Sequence, residues 1–243
     1  MQAVVAALAR AVASQLHPKM LALLVVPFVV AIAFWIVTVA LVWTPLTGWL
    51  SSVMFDGGIS GTVYGWFQSI GLGAIRDWLP AIIALLLVVP MSWVTAVVLI
   101  SVFAMPIVMR FIGARNYPDV ARSGTASPLP GAWNAILAII LFVIGYVATL
   151  PLWFIPPLAL VVPWLWWSWL TARVMRLDSL IEYADGRERR FLAEGHRRNY
   201  FLLAMIVSAL NYVPPLFLIT PVLSALAFGH YSLALLRAQR ERT

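Results

Sequence analysis

The sequence predicts an all-α integral membrane protein: two full transmembrane helices, two proline-tipped helical hairpins that penetrate the bilayer only in part, and an N-terminal amphipathic helix. Three observations carry that expectation. Of 243 residues, 63% are hydrophobic and 10% charged, whereas a globular domain uses about a quarter charged residues to keep its surface wet. Residues 20–55, 78–109, 123–172 and 199–236 contain no Asp, Glu, Lys or Arg, and each stretch exceeds the roughly 18 to 20 apolar residues that span a bilayer. Arginines crowd into the gaps between these stretches, as cations do at bilayer ends.

Residues 1–16 read as the amphipathic helix, with Val5, Leu8, Val12 and Leu16 on one side and Arg10 and Ser14 opposite. His17-Pro18 ends it, because the residue before proline is pushed out of the α region. The first span covers 20–43, with Trp35 and Trp43 as aromatic anchors and Thr44-Pro45 closing it. Its 24 residues reach about 36 Å as helix, too long for a secretory signal's apolar region, so a retained span is expected. An extracytoplasmic connector, 46–77, holds Asp56, Arg76 and Asp77, and Gly57, Gly61 and Gly65 repeat there at four-residue spacing. That spacing suits tight packing or a loop, or else a dimerisation face. The second span, 79–109, is longer than the hydrocarbon is thick, with Pro90 and Pro106 as candidate kinks.

Lys and Arg set the orientation. The connector holds one basic residue, Arg76, while Arg110, Arg115 and Arg122 follow the second span and Arg237, Arg240 and Arg242 end the chain. The segment 173–198 has seven arginines among Asp178, Glu182, Asp185, Glu188 and Glu194, for a net charge of +2. Both termini and this basic segment are therefore expected in the cytoplasm. By parity, 131–172 and 199–236 become hairpins that enter and leave on the same side. Pro151, Pro156 and Pro157 mark one tip and Pro214-Pro215 the other. Arms of about 15 residues cover about 22 Å, short of a core of about 30 Å, which predicts partial penetration; two ordinary tilted helical pairs are the alternative. The mixed charges of 173–198 fit a solvated helical pair laced with ion pairs, or a lipid head-group or regulatory contact.

Few side chains offer chemistry. Lys19 with His17 at the start of the first span could hold an anion, against a plain snorkelling anchor. His230, between Gly229 and Tyr231, is either a proton relay or substrate contact, or a hydrogen-bonded packing histidine. Asn134, Asn199 and Asn211 suit interhelical hydrogen bonds. The dense tryptophans at 153, 164, 166, 167 and 169 suit an interfacial belt. With no cysteine, there is no thiolate metal site or disulfide framework. Metalloprotease, phosphate-loop, nucleophile-elbow and dinucleotide motifs are missing, and the nine carboxylates lie in loops or near span ends. No enzyme activity, cofactor or metal is expected. The net charge of +7 fits a bilayer partner rather than nucleic acid.

His17-Pro18-Lys19-Met20 running into Val25-Val26-Pro27-Phe28, then Ala104-Met105-Pro106, Leu177-Asp178, Tyr212-Val213-Pro214 and Thr220-Pro221-Val222, resemble in order and spacing the CysZ-type sulfate permeases and the related etoposide-induced-protein family. The resemblance covers nearly the whole chain. It implies two full spans with two partly penetrating hairpins, and movement of sulfate or another small anion into the cytoplasm across a bacterial inner membrane. A homo-oligomer is compatible with it. The paired arginines that look like the family's sulfate ligands match Leu21 and Ala22 here, which leaves Lys19 as the cation of that turn. The other reading is a non-transporting scaffold that organises lipids or partners, favoured by the lack of charge inside the spans.

Overall fold

The computed structural model describes residues 1–55, 62, 65, 66, 68, 69, 71, 75–124 and 129–242. It is 87% helical, with no strand among the described residues, as the uncharged apolar stretches require. In chain order the helices are α1 (Gln2–Gln15), α2 (Pro18–Phe55), α3 (Ile75–Asn116), α4 (Leu129–Ala148), α5 (Pro156–Asp178), α6 (Gly186–Gly195), α7 (Arg197–Ala209) and α8 (Thr220–Arg240), with short 3-10 turns at Leu150–Phe154, Leu210–Tyr212 and Leu216–Leu218. Among the described residues two segments, Pro18–Val53 and Pro156–Asp178, are long and apolar enough to cross a membrane, and only 17% of the apolar window of each is buried inside the protein. Apolar helices that turn their side chains outward are suited to lipid, whereas the core helix of a soluble protein hides them.

The first span does not stop at Thr44-Pro45. Helix α2 runs through Pro27 and Pro45 to Phe55, so the start of the expected connector is helical. A proline removes one backbone bond, but unwinding the helix in lipid would leave several polar groups bare, so continuing is the cheaper solution. Hydroxyls support the backbone near the break: Thr47 Oγ1 donates to the carbonyls of Trp43 at 2.8 Å and Thr44 at 3.3 Å. Asp56, Gly57 and Gly61 lie outside the described residues. Helix α3 likewise extends past the expected 79–109 at both ends, with Pro90 and Pro106 inside it.

Contacts divide the chain into two compact units, Met1–Leu24 with Ile100–Thr243, and Val25–Leu99. Within the second, alanine marks the closest approaches, since Ala31, Ala84 and Ala96 are fully buried. The rings of Phe28 and Trp93 meet at 5.2 Å, and Trp35 Nε1 donates to Thr95 Oγ1 at 3.0 Å. A cavity of about 990 Å³ between the helical stretches is lined by Phe28, Trp35, Trp43, Leu85, Val89 and Trp93, among others.

The first unit is built around α8, which is buried from Val222 to Leu233 and again at Leu236. Helix α1 packs on it, but with a different face from the one expected. Val4, Ala7, Ala11 and Gln15 turn inward, while Val5, Val12 and Leu16 are more than half exposed. Two small alanines let the helix axes come close, and the larger aliphatic side chains are left on the outside. On the other flank Ser232 Oγ lies 2.6 Å from Ser179 Oγ and 2.8 Å from the Tyr200 hydroxyl, so three buried hydroxyls join α8 to α7 and to the turn after α5. Tyr200 also stacks on Phe228 and meets Tyr231 edge-on.

Helices α4 and α5 form an antiparallel pair on the far side. Gly145 faces the Trp166 ring so closely that a Cβ there would overlap it. Phe142 packs on Trp167 at 5.1 Å, and Trp164 Nε1 donates to the Met205 carbonyl of α7 at 3.1 Å. These tryptophans thus also cement helices to one another. The return arm is longer than the 15 residues expected: α5 has 23 residues, about 35 Å, because it continues past Ala172 to Asp178. Helix α7 has 13 residues, about 20 Å.

The segment after α5 is tied to the C-terminal end of α8. Asp185 caps α6, accepting from the backbone N–H groups of Arg187 at 2.7 Å and Glu188 at 2.8 Å, while Glu188 Oε2 accepts from the Asp185 N–H at 3.0 Å. The same Glu188 grips Arg240 bidentately, at 2.8 Å from Nε and 2.9 Å from Nη2. Arg240 further donates to the carbonyls of Ala121 and Tyr183.

Two outcomes follow. Gly145→Val forces a branched side chain into the Trp166 ring and should destabilise the protein by about 1–3 kcal/mol, read as a lowered melting temperature in detergent; an unchanged melting temperature would show that α4 and α5 do not meet through Gly145. The hydrogen bonds from Arg240 hold the Glu188 carboxyl below the ordinary glutamate range. Stability from this pair is therefore fully present above that range and is lost as pH falls through the depressed pKa. Melting temperature should drop between about pH 5 and pH 3, and Glu188→Gln should reduce the size of that drop.

Candidate functional site

The start of α2 is where sequence places the first candidate residues, and there His17 has a structural task. Its Nδ1 accepts from the Lys19 backbone N–H at 3.2 Å, and its carbonyl accepts from Met20 and Leu21. It is the N-cap of a helix whose first residue is Pro18, a position where the missing N–H costs nothing. The centres of the His17 and Phe111 rings are 4.8 Å apart, and the Arg115 guanidinium lies 5.9 Å from the centre of the same Phe111 ring.

Around this cap is a notch of about 380 Å³, lined by Arg10, Ala13, Ser14, Leu16, His17, Pro18, Phe111, Arg115 and Asn116. Two guanidiniums, an imidazole, an amide and a hydroxyl line it, and no carboxylate does. Such a donor set suits an anion; the positive start of α2 adds to it, while the ends of α1 at Gln15 and of α3 at Asn116 oppose it. Lys19 is exposed and outside the notch lining.

Arg10 and Arg115 were legible in sequence only as the polar side of α1 and as an orientation charge. The folding of α1 onto α8 beside the end of α3 brings them together. The only sequence hint is local: Arg10 and Ser14 are four residues apart, and so share a helix face.

His230 lies below the notch. It is fully buried, and its Nε2 is 2.9 Å from Ser14 Oγ. The Tyr117 hydroxyl donates to the His230 carbonyl at 3.1 Å and accepts from Arg10 Nη1 at 3.1 Å. The chain Arg10–Tyr117–His230–Ser14 thus fixes the floor of the notch and holds Arg10 in place. His230 Nδ1 is buried and without a partner among the described residues. The two asparagines lie elsewhere: Asn134 Nδ2 donates to the Arg173 carbonyl at 3.2 Å, tying α4 to α5, and Asn211 is exposed in the turn after α7. Of the five candidates, His17 and His230 both approach Ser14, while Asn134 and Asn211 do not converge on them. Among the described residues no group of His, Asp or Glu could hold a metal ion.

The family model described as sulfate transporter CysZ/etoposide-induced protein 2.4 matches residues 7–221, a range that takes in the whole notch. No curated protein and no solved structure matches the chain.

Ser14→Ala removes the His230 Nε2 partner while leaving the imidazole buried. It should cost about 1–2 kcal/mol of stability, measured by thermal unfolding in detergent; no loss would show that water replaces the hydroxyl.

Proposed function

The chain belongs to the sulfate transporter CysZ/etoposide-induced protein 2.4 family, and we propose on that footing that it moves sulfate or another small anion across a bacterial inner membrane. The observation that carries the proposal is the carboxylate-free basic notch at the start of α2. Leu21 and Ala22 stand where the family pattern has paired arginines, and Arg10 from α1 and Arg115 from α3 bring two guanidiniums to the same turn. Planar guanidiniums grip oxyanions through paired hydrogen bonds, and His17 Nε2 and Asn116 add further polar contacts.

The membrane setting is supported by the family and by the two outward-facing apolar helices. In the proposed arrangement both termini and residues 173–198 are cytoplasmic, in line with the arginine distribution. The α4–α5 and α7–α8 hairpins enter from that side, and α7, at 13 residues, is too short to cross a core of about 30 Å. Helix α1 lies in the interface, with Val5, Val12 and Leu16 towards lipid. The protein carries its substrate without chemical change, and a homo-oligomer is compatible with the broad apolar exterior. A second reading, a membrane scaffold without transport, draws on the absence of charge from residues 20–55.

Flux decides between them. Purified protein in liposomes should take up radiolabelled sulfate saturably, Arg115→Gln should cut the rate at least about fivefold, and Lys19→Ala, outside the notch, should reduce it less. No flux above empty liposomes for sulfate or a monovalent anion sinks the transport reading and leaves the scaffold.

A further inference from the structure

We propose that the cleft between α5 and α7 binds a phosphoryl oxyanion, carried by an anionic phospholipid headgroup or present as free phosphate. The cleft measures about 490 Å³ and is lined by Trp169, Ala172, Arg173, Arg176, Arg197, Arg198 and Phe201. Its construction follows from helical spacing. Trp169, Arg173 and Arg176 recur at four and three residues on α5, and Arg197 and Phe201 are four apart on α7, so each helix presents one face of cations above an aromatic ring.

These cations differ from Arg237 and Arg240 in forming no ion pair among the described residues. Arg240 is paired with Glu188, and Arg237 with Asp119 and Glu241. Arg173 and Arg176 are half-buried, and the Nε of each is buried without a hydrogen-bond partner among the described residues. Arg176 has one long contact, from Nη1 to the Ala193 carbonyl at 3.5 Å. Arg197 and Arg173 act on it as like charges, and Glu194 is the carboxylate that acts on it in the opposite sense. A neighbouring hollow of about 260 Å³, also lined by Arg176, adds Arg189 and Arg190 together with the carboxylate of Glu194.

Grouping half-buried guanidiniums costs free energy that an anion with several acceptor oxygens offsets. Guanidinium forks match phosphate oxygens two at a time. The location favours a lipid as the source. Arg173 and Arg176 lie in the last turns of Pro156–Asp178, a segment apolar and long enough to cross a membrane, and the Arg173 guanidinium rests 5.4 Å from the centre of the Trp169 ring. A headgroup there meets the arginines while its acyl chains continue along the apolar side of α5.

The test uses the full-length purified protein in detergent and reads binding rather than flux, so it stands apart from the transport reading. Phosphatidylglycerol, phosphatidylcholine and inorganic phosphate are titrated separately, and phosphate is also used as a competitor. Arg197→Gln with Arg198→Gln alters two exposed side chains, which spares the fold. Arg187→Gln with Arg242→Gln removes the same charge from exposed positions outside the cleft. The expected result is phosphatidylglycerol binding weakened about tenfold or more by the cleft pair and less than about twofold by the control pair, since a cation's contribution falls off with distance from the headgroup. Sensitivity to the cleft pair without phosphate competition identifies the lipid as ligand, and sensitivity with competition identifies free phosphate. Equal losses from both pairs, or wild-type protein that neither prefers phosphatidylglycerol to phosphatidylcholine nor binds phosphate, overturns the proposal.

Discussion

Helix α8 carries polar groups into the core of the first unit, and those groups decide what packs around it. Burial of apolar area is a weak guide to helix pairing in lipid, because a leucine facing another helix and a leucine facing an acyl chain are in similar surroundings. Pairing is then set by small residues and by polar groups that have no other partner. On α8 these are Gly229, where an added Cβ would meet Ile112 at 2.5 Å and Met109 at 3.0 Å; His230, answered by Ser14; and Ser232, held between Ser179 and Tyr200. Each chooses a different neighbour, respectively α3, α1 and the α5–α7 side. Arg240 then fastens the end of the helix to Glu188 and to the backbone at Ala121 and Tyr183. A buried hydroxyl or imidazole left unanswered would cost a few kcal/mol, which is why the register of α8 against its neighbours is fixed.

The same reasoning separates what the sequence disclosed from what it did not. Uncharged stretches announce helices because nothing else satisfies a backbone in lipid, so the all-helical class and the apolar segments were readable from charge alone. Helix ends were less readable. Thr44-Pro45 looked like a stop and is not one, since the rule that proline breaks helices assumes water ready to take the freed groups. The α1 face was misassigned for a related reason. Val5, Val12 and Leu16 make the stronger hydrophobic stripe, yet the face that packs is Val4, Ala7 and Ala11, because closeness of approach matters more there than side-chain size.

The notch was half legible. His17 stood out as a histidine before a proline at a charge boundary, but its capping of Lys19 and its contact with Phe111 depend on local geometry and on α3. Arg10 and Arg115 are more than a hundred positions apart in sequence, and no spacing rule links them. Their meeting is a consequence of α1 lying against α8, which in turn follows from the His230–Ser14 bond and the alanines of α1. Lys19, the most conspicuous cation in sequence, is turned away from the notch by the helical phase that His17 sets.

The charge pattern also constrains how an anion could cross. Moving a small ion from water into a low-dielectric medium costs on the order of 20 kcal/mol before relaxation, and residues 20–55 and 123–172 provide no cation to offset that cost. Side-chain charge can therefore act only at the ends of a path. In between, an anion must keep its water or meet oriented N–H groups, which helices supply mainly at their ends. The α7–α8 turn is such a place: its backbone passes through two short 3-10 segments, and Asn211 and Tyr212 are exposed there. On the transport proposed above, the arginines of the notch would concentrate the anion at one end of the path, and passage itself would fall to hydration and backbone dipoles. An added cation in the notch would then strengthen binding there without opening such a path, because residues 20–55 and 123–172 carry no charged side chain.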